Sequence, residues 1–271
     1  MIGGWKERWR WLNTLLRARQ HPCMICGKSA ASLFYGICDG CGSVIPWIDR
    51  VNCTVCGRHV PCPDCIRRPQ DSTYFIQNRS AVQYDSHMKE WLAQYKYRGN
   101  ERYIGLFVHM LNQAYVRMLN EIRMNDAAAD DDAIFDCVTF VPVSEARLAE
   151  RGFNQAEQLA KGLAAIHRLP VYPLIRRARH TAKQSFKARG ERIRDLKDVF
   201  VPDSAALSQI AELARSRRSE DKPLLRILLV DDVYTTGSTV NECARQIRTI
   251  PGLAGFPEMR MEVYCLTWAR S

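Results

Sequence analysis

The sequence predicts an α/β protein: a mostly parallel sheet with helices on both faces, preceded by a small cysteine-rich module organised by metal. Three observations carry this expectation. From Tyr74 to Trp268, apolar runs of strand length alternate with amphipathic stretches of helical period. One run, Leu224–Val230, ends in two adjacent carboxylates and leads through a Thr/Ser/Gly loop into a helix. Eight of the eleven cysteines lie between residues 23 and 65, all in C-x-x-C pairs.

The first element is an amphipathic helix at residues 3–19, with Trp5, Trp9, Leu12 and Leu16 on one face and basic residues around it. A cap on a neighbouring module is its plain role; docking on a membrane surface or a partner is the other. The cysteine module follows at 21–66. Its pairs are Cys23/Cys26, Cys38/Cys41, Cys53/Cys56 and Cys62/Cys65, and two pairs close one tetrahedral four-thiolate site. Eight thiols therefore make two structural zinc sites. Sequential pairing is the simplest, and the short Cys56–Cys62 loop leaves a crossed one open. Gly27, Gly42 and Gly57 suit the tight turns that follow such pairs. A four-thiolate zinc has no open position, so no catalysis is assigned to it.

Residues 67–72 read as a linker, and the α/β domain spans 73–271. Ser80–Tyr84 suits a strand. Ser86–Tyr97 suits a helix with Met88, Trp91, Leu92 and Tyr95 on one face, and Tyr103–Met124 a second helix. Asn125–Ala133 is an acidic loop, Ile134–Val143 a buried strand and Asn154–Ile166 a helix capped by Asn154. Between Arg176 and Arg194, eight Lys/Arg stand against one acid; this is a polyanion contact, a mobile lid or a solvated face. Ser204–Glu220 is expected as a surface helix, Leu224–Val230 as a central parallel strand, Ser238–Thr249 as the helix after it and Met261–Trp268 as the last strand.

The chain has 271 residues and a net charge of +10, enough for one α/β domain and a small module, with a surface that attracts polyanions. No apolar run reaches the ~18–20 residues of a membrane span, and residues 1–20 carry no secretory pattern. A cytoplasmic location is expected, with the inner face of the membrane as a place of recruitment.

Chemistry is concentrated in Leu228-Leu-Val-Asp-Asp-Val-Tyr-Thr-Thr-Gly-Ser-Thr239. Ligands of open α/β sheets bind at the carboxyl ends of strands. Free N–H groups at a helix start favour a phosphate, and Gly237 allows close approach. Thr235, Thr236, Ser238 and Thr239 add hydroxyl donors. Asp231 and Asp232 suit sugar hydroxyls or a magnesium ion carrying a diphosphate.

This stretch resembles the signature loop of type I phosphoribosyltransferases, which bind phosphoribosyl pyrophosphate with Mg2+. The resemblance implies that Asp231 and Asp232 hold the ribose hydroxyls and that Thr235–Thr239 hold the 5′-phosphate. Further segments are similar to the ComF family of bacterial competence proteins: Lys96-Tyr-Arg-Gly99, Val141-Pro-Val-Ser144 at the diphosphate loop, Arg151-Gly-Phe-Asn-Gln155 and Arg179-His-Thr-Ala-Lys-Gln184. Two departures stand out. Arg192 is followed by Asp195 where the family carries Asn, and Val201–Pro223 is longer than expected, which suggests a peripheral insertion.

By that resemblance Lys96, Asp231 and Asp232 are the catalytic candidates, and Val143, Ser144 and Arg98 join the loop in binding the ligand. Lys96 and Arg98 are cations suited to a diphosphate leaving group, or to a solvated helix end. Arg147 and Arg151 flank the diphosphate loop or pair with Glu145 and Glu150. The family implies a role in DNA uptake, with single-stranded DNA, a competence helicase or another DNA-uptake protein as partner. A phosphoribosyltransferase of nucleotide metabolism and a nucleotide-sensing regulator are the alternatives.

Overall fold

The computed structural model describes residues 21–30, 33–66, 72–125, 134–178, 199–216 and 224–271. The helix expected at 3–19, the acidic loop at 126–133, nearly all of the linker and most of the basic stretch lie outside these residues. The chain forms two compact units, Met1–Ile45 and Pro46–Ser271. The division falls between the second and third cysteine pairs.

In the first unit, β1 (His21–Pro22) and β2 (Ser29–Ala30) make a short antiparallel pair, and α1 (Asp39–Gly42) follows. Gly27 has φ +71°, as a tight turn after a cysteine pair requires; Gly42 lies in α1 and makes no such turn.

The second unit runs α2 (Pro63–Ile66), β3 (Asn78–Gln83), α3 (Ser86–Tyr97), α4 (Tyr103–Asn125), β4 (Cys137–Phe140), α5 (Glu145–Arg151), α6 (Gln155–His167), β5 (Ile175–Arg177), β6 (Phe200–Pro202), α7 (Ser204–Ser216), β7 (Leu224–Tyr234), α8 (Ser238–Ile247), α9 (Ile250–Leu253) and β8 (Arg260–Arg270). Four strands form an all-parallel sheet in the order β3-β8-β7-β4. In β7, Leu225 and Ile227 to Val230 are all buried, so both faces of the sheet are covered. Helices α4 and α6 pack against each other, α4 on β3 and β8 and α6 on β7 and β4. Helix α8 packs on β7 and β8 and reaches the antiparallel β5–β6 pair. The α/β class expected from the alternating pattern is thus the observed one.

Local sequence explains the elements. Helix α3 starts where the Asp85 carboxylate accepts from the Met88 amide at 2.8 Å, and Met88, Trp91, Leu92 and Tyr95 are its buried face. Strand β4 is shorter than the apolar run around it, because Pro142 has no N–H with which to extend a ladder. Helix α7 is less superficial than its polar composition suggests: Ala206, Ile210 and Ala214 are buried and the helix packs on α9. Short β5 and β6 had no alternating pattern to announce them.

Both edges of the sheet are occupied. Beside β3, the Pro46–Ile48 segment runs antiparallel, with Ile48 N–H bonding Ala81 O at 3.0 Å and Gln83 N–H bonding Pro46 O at 2.9 Å. Beside β4, Val138 N–H bonds Pro170 O at 2.9 Å and Tyr172 N–H bonds Val138 O at 3.0 Å. Among the described residues no helix is long and apolar enough to cross a membrane.

Candidate functional site

Strand β7 delivers Asp231 and Asp232 to the carboxyl edge of the sheet, next to the end of β4. The Asp231 carboxylate accepts the Asp232 amide at 2.8 Å. Asp232 forms an ion pair with Lys96, which α3 presents from its last turn. The two acids are pushed apart. Burial, and then the charge of Asp232, raise Asp231 to about 8. Burial acts on Asp232 in the same sense, but the Lys96 charge and hydrogen bond outweigh it and hold Asp232 below the usual carboxylate range. The protonated form is favoured at Asp231 and the ionised form at Asp232, an arrangement that can both donate to and accept from hydroxyls.

The chain then turns into α8. Gly237 is the residue before the helix, with φ +77°, and a Cβ there would strike the hydroxyl of Tyr234. Glycine is required twice over: for the left-handed backbone and for the absent side chain. Thr236 Oγ1 and Ser238 Oγ are 2.9 Å apart. Thr235, Gly237 and Thr239 line a small depression with Asp231 and Val233.

A larger cleft, about 260 Å3, opens beside it. It gathers Lys96, Val143, Ser144, Asp231, Asp232 and Thr239 from the sequence-derived candidates. Arg98 does not join them; it is exposed at the C-terminal cap of α3. Ser144 caps α5, accepting the Arg147 amide at 3.4 Å. Arg147 and Arg151 both line the cleft. Arg151 donates to Gln155 at 3.0 Å and to the Tyr97 hydroxyl at 2.8 Å, and its guanidinium stacks over the Tyr97 ring.

Asn154, Gln155, Arg177 and Phe200 also line the cleft and were not among those candidates, although Arg177 belongs to the basic stretch read as a polyanion contact or lid. Asn154 is more than the expected cap. It accepts the Ala156 amide and also donates to Val141 O, each at 3.0 Å, joining α6 to the segment that follows β4. Arg177 and Phe200 come from β5 and β6, whose three-residue strands left no trace in the hydrophobic pattern.

The cysteines fall into two quartets, Cys23/Cys26/Cys38/Cys41 and Cys53/Cys56/Cys62/Cys65, with the sulfurs of each within 4.8 Å of one another. This is the sequential pairing. Cys26 and Cys38 sulfurs are 3.7 Å apart, and Cys56 and Cys62 sulfurs 3.5 Å. Four thiolates at ~2.3 Å from a tetrahedral zinc stand about that far apart, so each quartet can hold one zinc ion. His59 is not in the second quartet. That quartet is seated on β3: Asn78 donates to Cys56 O at 3.2 Å, Arg79 donates to Thr54 O at 2.8 Å, and a Cβ at Gly57 would meet Asn78 O at 2.5 Å.

No family model matches the chain. Curated relatives do. Competence protein ComFC of Bacillus subtilis is 31% identical over 216 residues, 77% of this chain and 76% of that protein. Competence protein ComFC of Streptococcus pneumoniae is 23% identical over 234 residues, covering 81% and 90%. The DNA utilization protein YhgH of Escherichia coli is 26% identical over 250 residues, covering 90% and 95%. With 31% identity to the Bacillus subtilis protein over three quarters of both chains, and with two cysteine quartets before the first strand of its parallel sheet, the chain belongs to the ComF family of competence proteins.

Proposed function

We propose that the chain binds phosphoribosyl pyrophosphate with Mg2+ in the Asp231–Thr239 site and acts in DNA uptake, handling single-stranded DNA or a protein that does. One observation supports ligand binding most: an adjacent acid pair and a glycine-started helix lie at the end of one parallel strand, beside a cleft lined by Lys96, Arg147, Arg151 and Arg177. Neutral Asp231 and ionised Asp232 suit the ribose hydroxyls. The α8 amides with Thr235, Thr236, Ser238 and Thr239 suit the 5′-phosphate, and Val143 with Ser144 and the cations suits the diphosphate. Arg98, exposed at the C-terminal cap of α3, is not among the residues lining the cleft. The DNA role draws on the relatives named for competence and DNA utilization and on the net charge of +10.

Calorimetric titration of Mg-phosphoribosyl pyrophosphate into the wild type and an Asp231→Asn/Asp232→Asn variant tests the site. Binding that the variant loses upholds the proposal; no binding by the folded wild type sinks it. Affinity for single-stranded DNA is expected to fall steeply with salt, as phosphate contacts release counterions.

The cations around the cleft favour a second reading, phosphoribosyl transfer. There the bond from C1 to the diphosphate oxygen breaks, the electron pair leaves with the diphosphate, and an acceptor's lone pair closes on C1. Steady pyrophosphate release with an acceptor separates turnover from binding alone.

A further inference from the structure

Arg270 at the end of β8 touches both the second cysteine quartet and the phosphate loop. It is buried, 4% exposed. Its Nη2 donates to Cys56 Sγ at 3.2 Å, and its guanidinium carbon lies 4.5 Å from the centroid of the Tyr234 ring. Nε and Nη1 have no hydrogen-bond partner, and no carboxylate pairs with it among the described residues. A buried guanidinium without a counter-charge is strongly destabilising. The second quartet supplies that charge, because zinc held by four thiolates carries a net negative charge. Among the described residues no basic side chain serves the first quartet in this way, whose sulfurs meet each other and the Cys38 amide.

Tyr234 stands on the other side of Arg270. The two are partners in the β7–β8 register, and the Ser271 amide bonds Tyr234 O at 3.0 Å. Tyr234 is buried, and its hydroxyl occupies the space a Cβ on Gly237 would need. The turn that opens α8 therefore rests on this ring. Any shift of the ring moves the amides that face a phosphate.

We propose that Arg270 is a positioning residue that couples the metal state of the second quartet to the phosphate loop. The loaded quartet holds the guanidinium, the guanidinium holds the Tyr234 ring, and the ring sets the height of the Gly237 turn. The identity of the anion rests on the function proposed above; the coupling does not.

Hydrogen exchange of the 234–240 segment in the full chain tests it, with zinc content measured on the same samples. Arg270→Met and Cys62→Ser are expected to speed exchange there about tenfold, inside the ~5–150-fold range of couplings between sites. Together they should be no faster than the stronger single change. Arg270→Lys should keep both zinc ions yet leave the loop faster than wild type, because an ammonium cannot reproduce the planar guanidinium's contact with the Tyr234 ring. Cys26→Ser, in the first quartet, should leave the loop at its wild-type rate. Wild-type exchange in both Arg270→Met and Cys62→Ser overturns the proposal, as does an equal rise with Cys26→Ser or across all peptides of the sheet. If Arg270→Met does not fold, chelator stripping of the wild type and repletion with zinc give the same reading. Calorimetry with Mg-phosphoribosyl pyrophosphate runs alongside. Failure of the wild type to bind would remove the proposed function and leave the exchange result standing.

Discussion

Two neighbouring carboxylates, Asp231 and Asp232, titrate in opposite directions because only one of them meets a cation. Asp231 has a folded pKa of about 8, above its unfolded value, so the native state binds the extra proton. Its contribution to stability is present at low pH and is lost as pH rises from about 4 toward 8. Asp231→Asn is expected to flatten that decline and to raise Tm at pH 8, by ~2–4 °C for each kcal/mol recovered in a domain of this size. Melting curves from pH 5 to 8.5 check it; an unchanged slope refutes it. Asp232 behaves in the reverse sense, since its ion pair with Lys96 outweighs burial. Lys96→Met strands a partly buried carboxylate and should destabilise the fold. Adding Asp232→Asn should restore much of the loss, as a double-mutant cycle would show. The acid pair stood out in the sequence, because acids at the end of an apolar strand need a partner. Its asymmetry was not, because the lysine that splits the pair lies 136 positions away in the sequence, on another helix.

At the scale of elements, helix starts carry the site. Gly237→Ala forces a left-handed backbone on alanine, which costs ~1–2 kcal/mol, and drives a methyl group into Tyr234. The expected outcome is a lower Tm and loss of ligand binding in calorimetry, even if the variant folds. Asn154→Ala should remove both the cap of α6 and the tie to Val141, with a destabilisation of ~1–2 kcal/mol in denaturant unfolding. Asn154→Asp should restore the cap and not the tie. The long elements were readable: α3 buries the four residues its spacing picks out, and β7 begins with an apolar run, Leu224–Val230, broken only by Arg226. Short β5 and β6 were not readable. Three residues cannot show a period of two, and pairing alone makes them strands. Helix α7 is the expected surface helix, with Ser204, Ser208 and Glu212 exposed, and its buried face is made largely of alanines, which look less apolar than they pack.

Across the whole molecule, the two quartets differ in what they support. The second is hydrogen-bonded to β3 and to Arg270; the first belongs to a separate compact unit. Cys62→Ser should release one zinc and lower the Tm of the main transition by several degrees. Cys26→Ser should release one zinc and leave that transition in place. Zinc analysis with calorimetric melting separates the two, and equal shifts would contradict the division. The cysteine spacing announced two sites at once, but nothing in it distinguished them. That difference depends on Asn78, Arg79 and Arg270, which are unremarkable in sequence and acquire their roles only when β3 and β8 pair.

The occupied edges of the sheet have a separate consequence for assembly. A parallel sheet with an open edge invites another chain to add a strand. Here the Pro46–Ile48 segment and the backbone around Val171 already use outward backbone groups of β3, at Ala81 and Gln83, and of β4, at Val138. Copies of this chain that come together, or a DNA-handling protein that joins one, must therefore meet side chains on helices and loops rather than extend the sheet. Specificity in such a contact is written in surface residues that can change without disturbing the core.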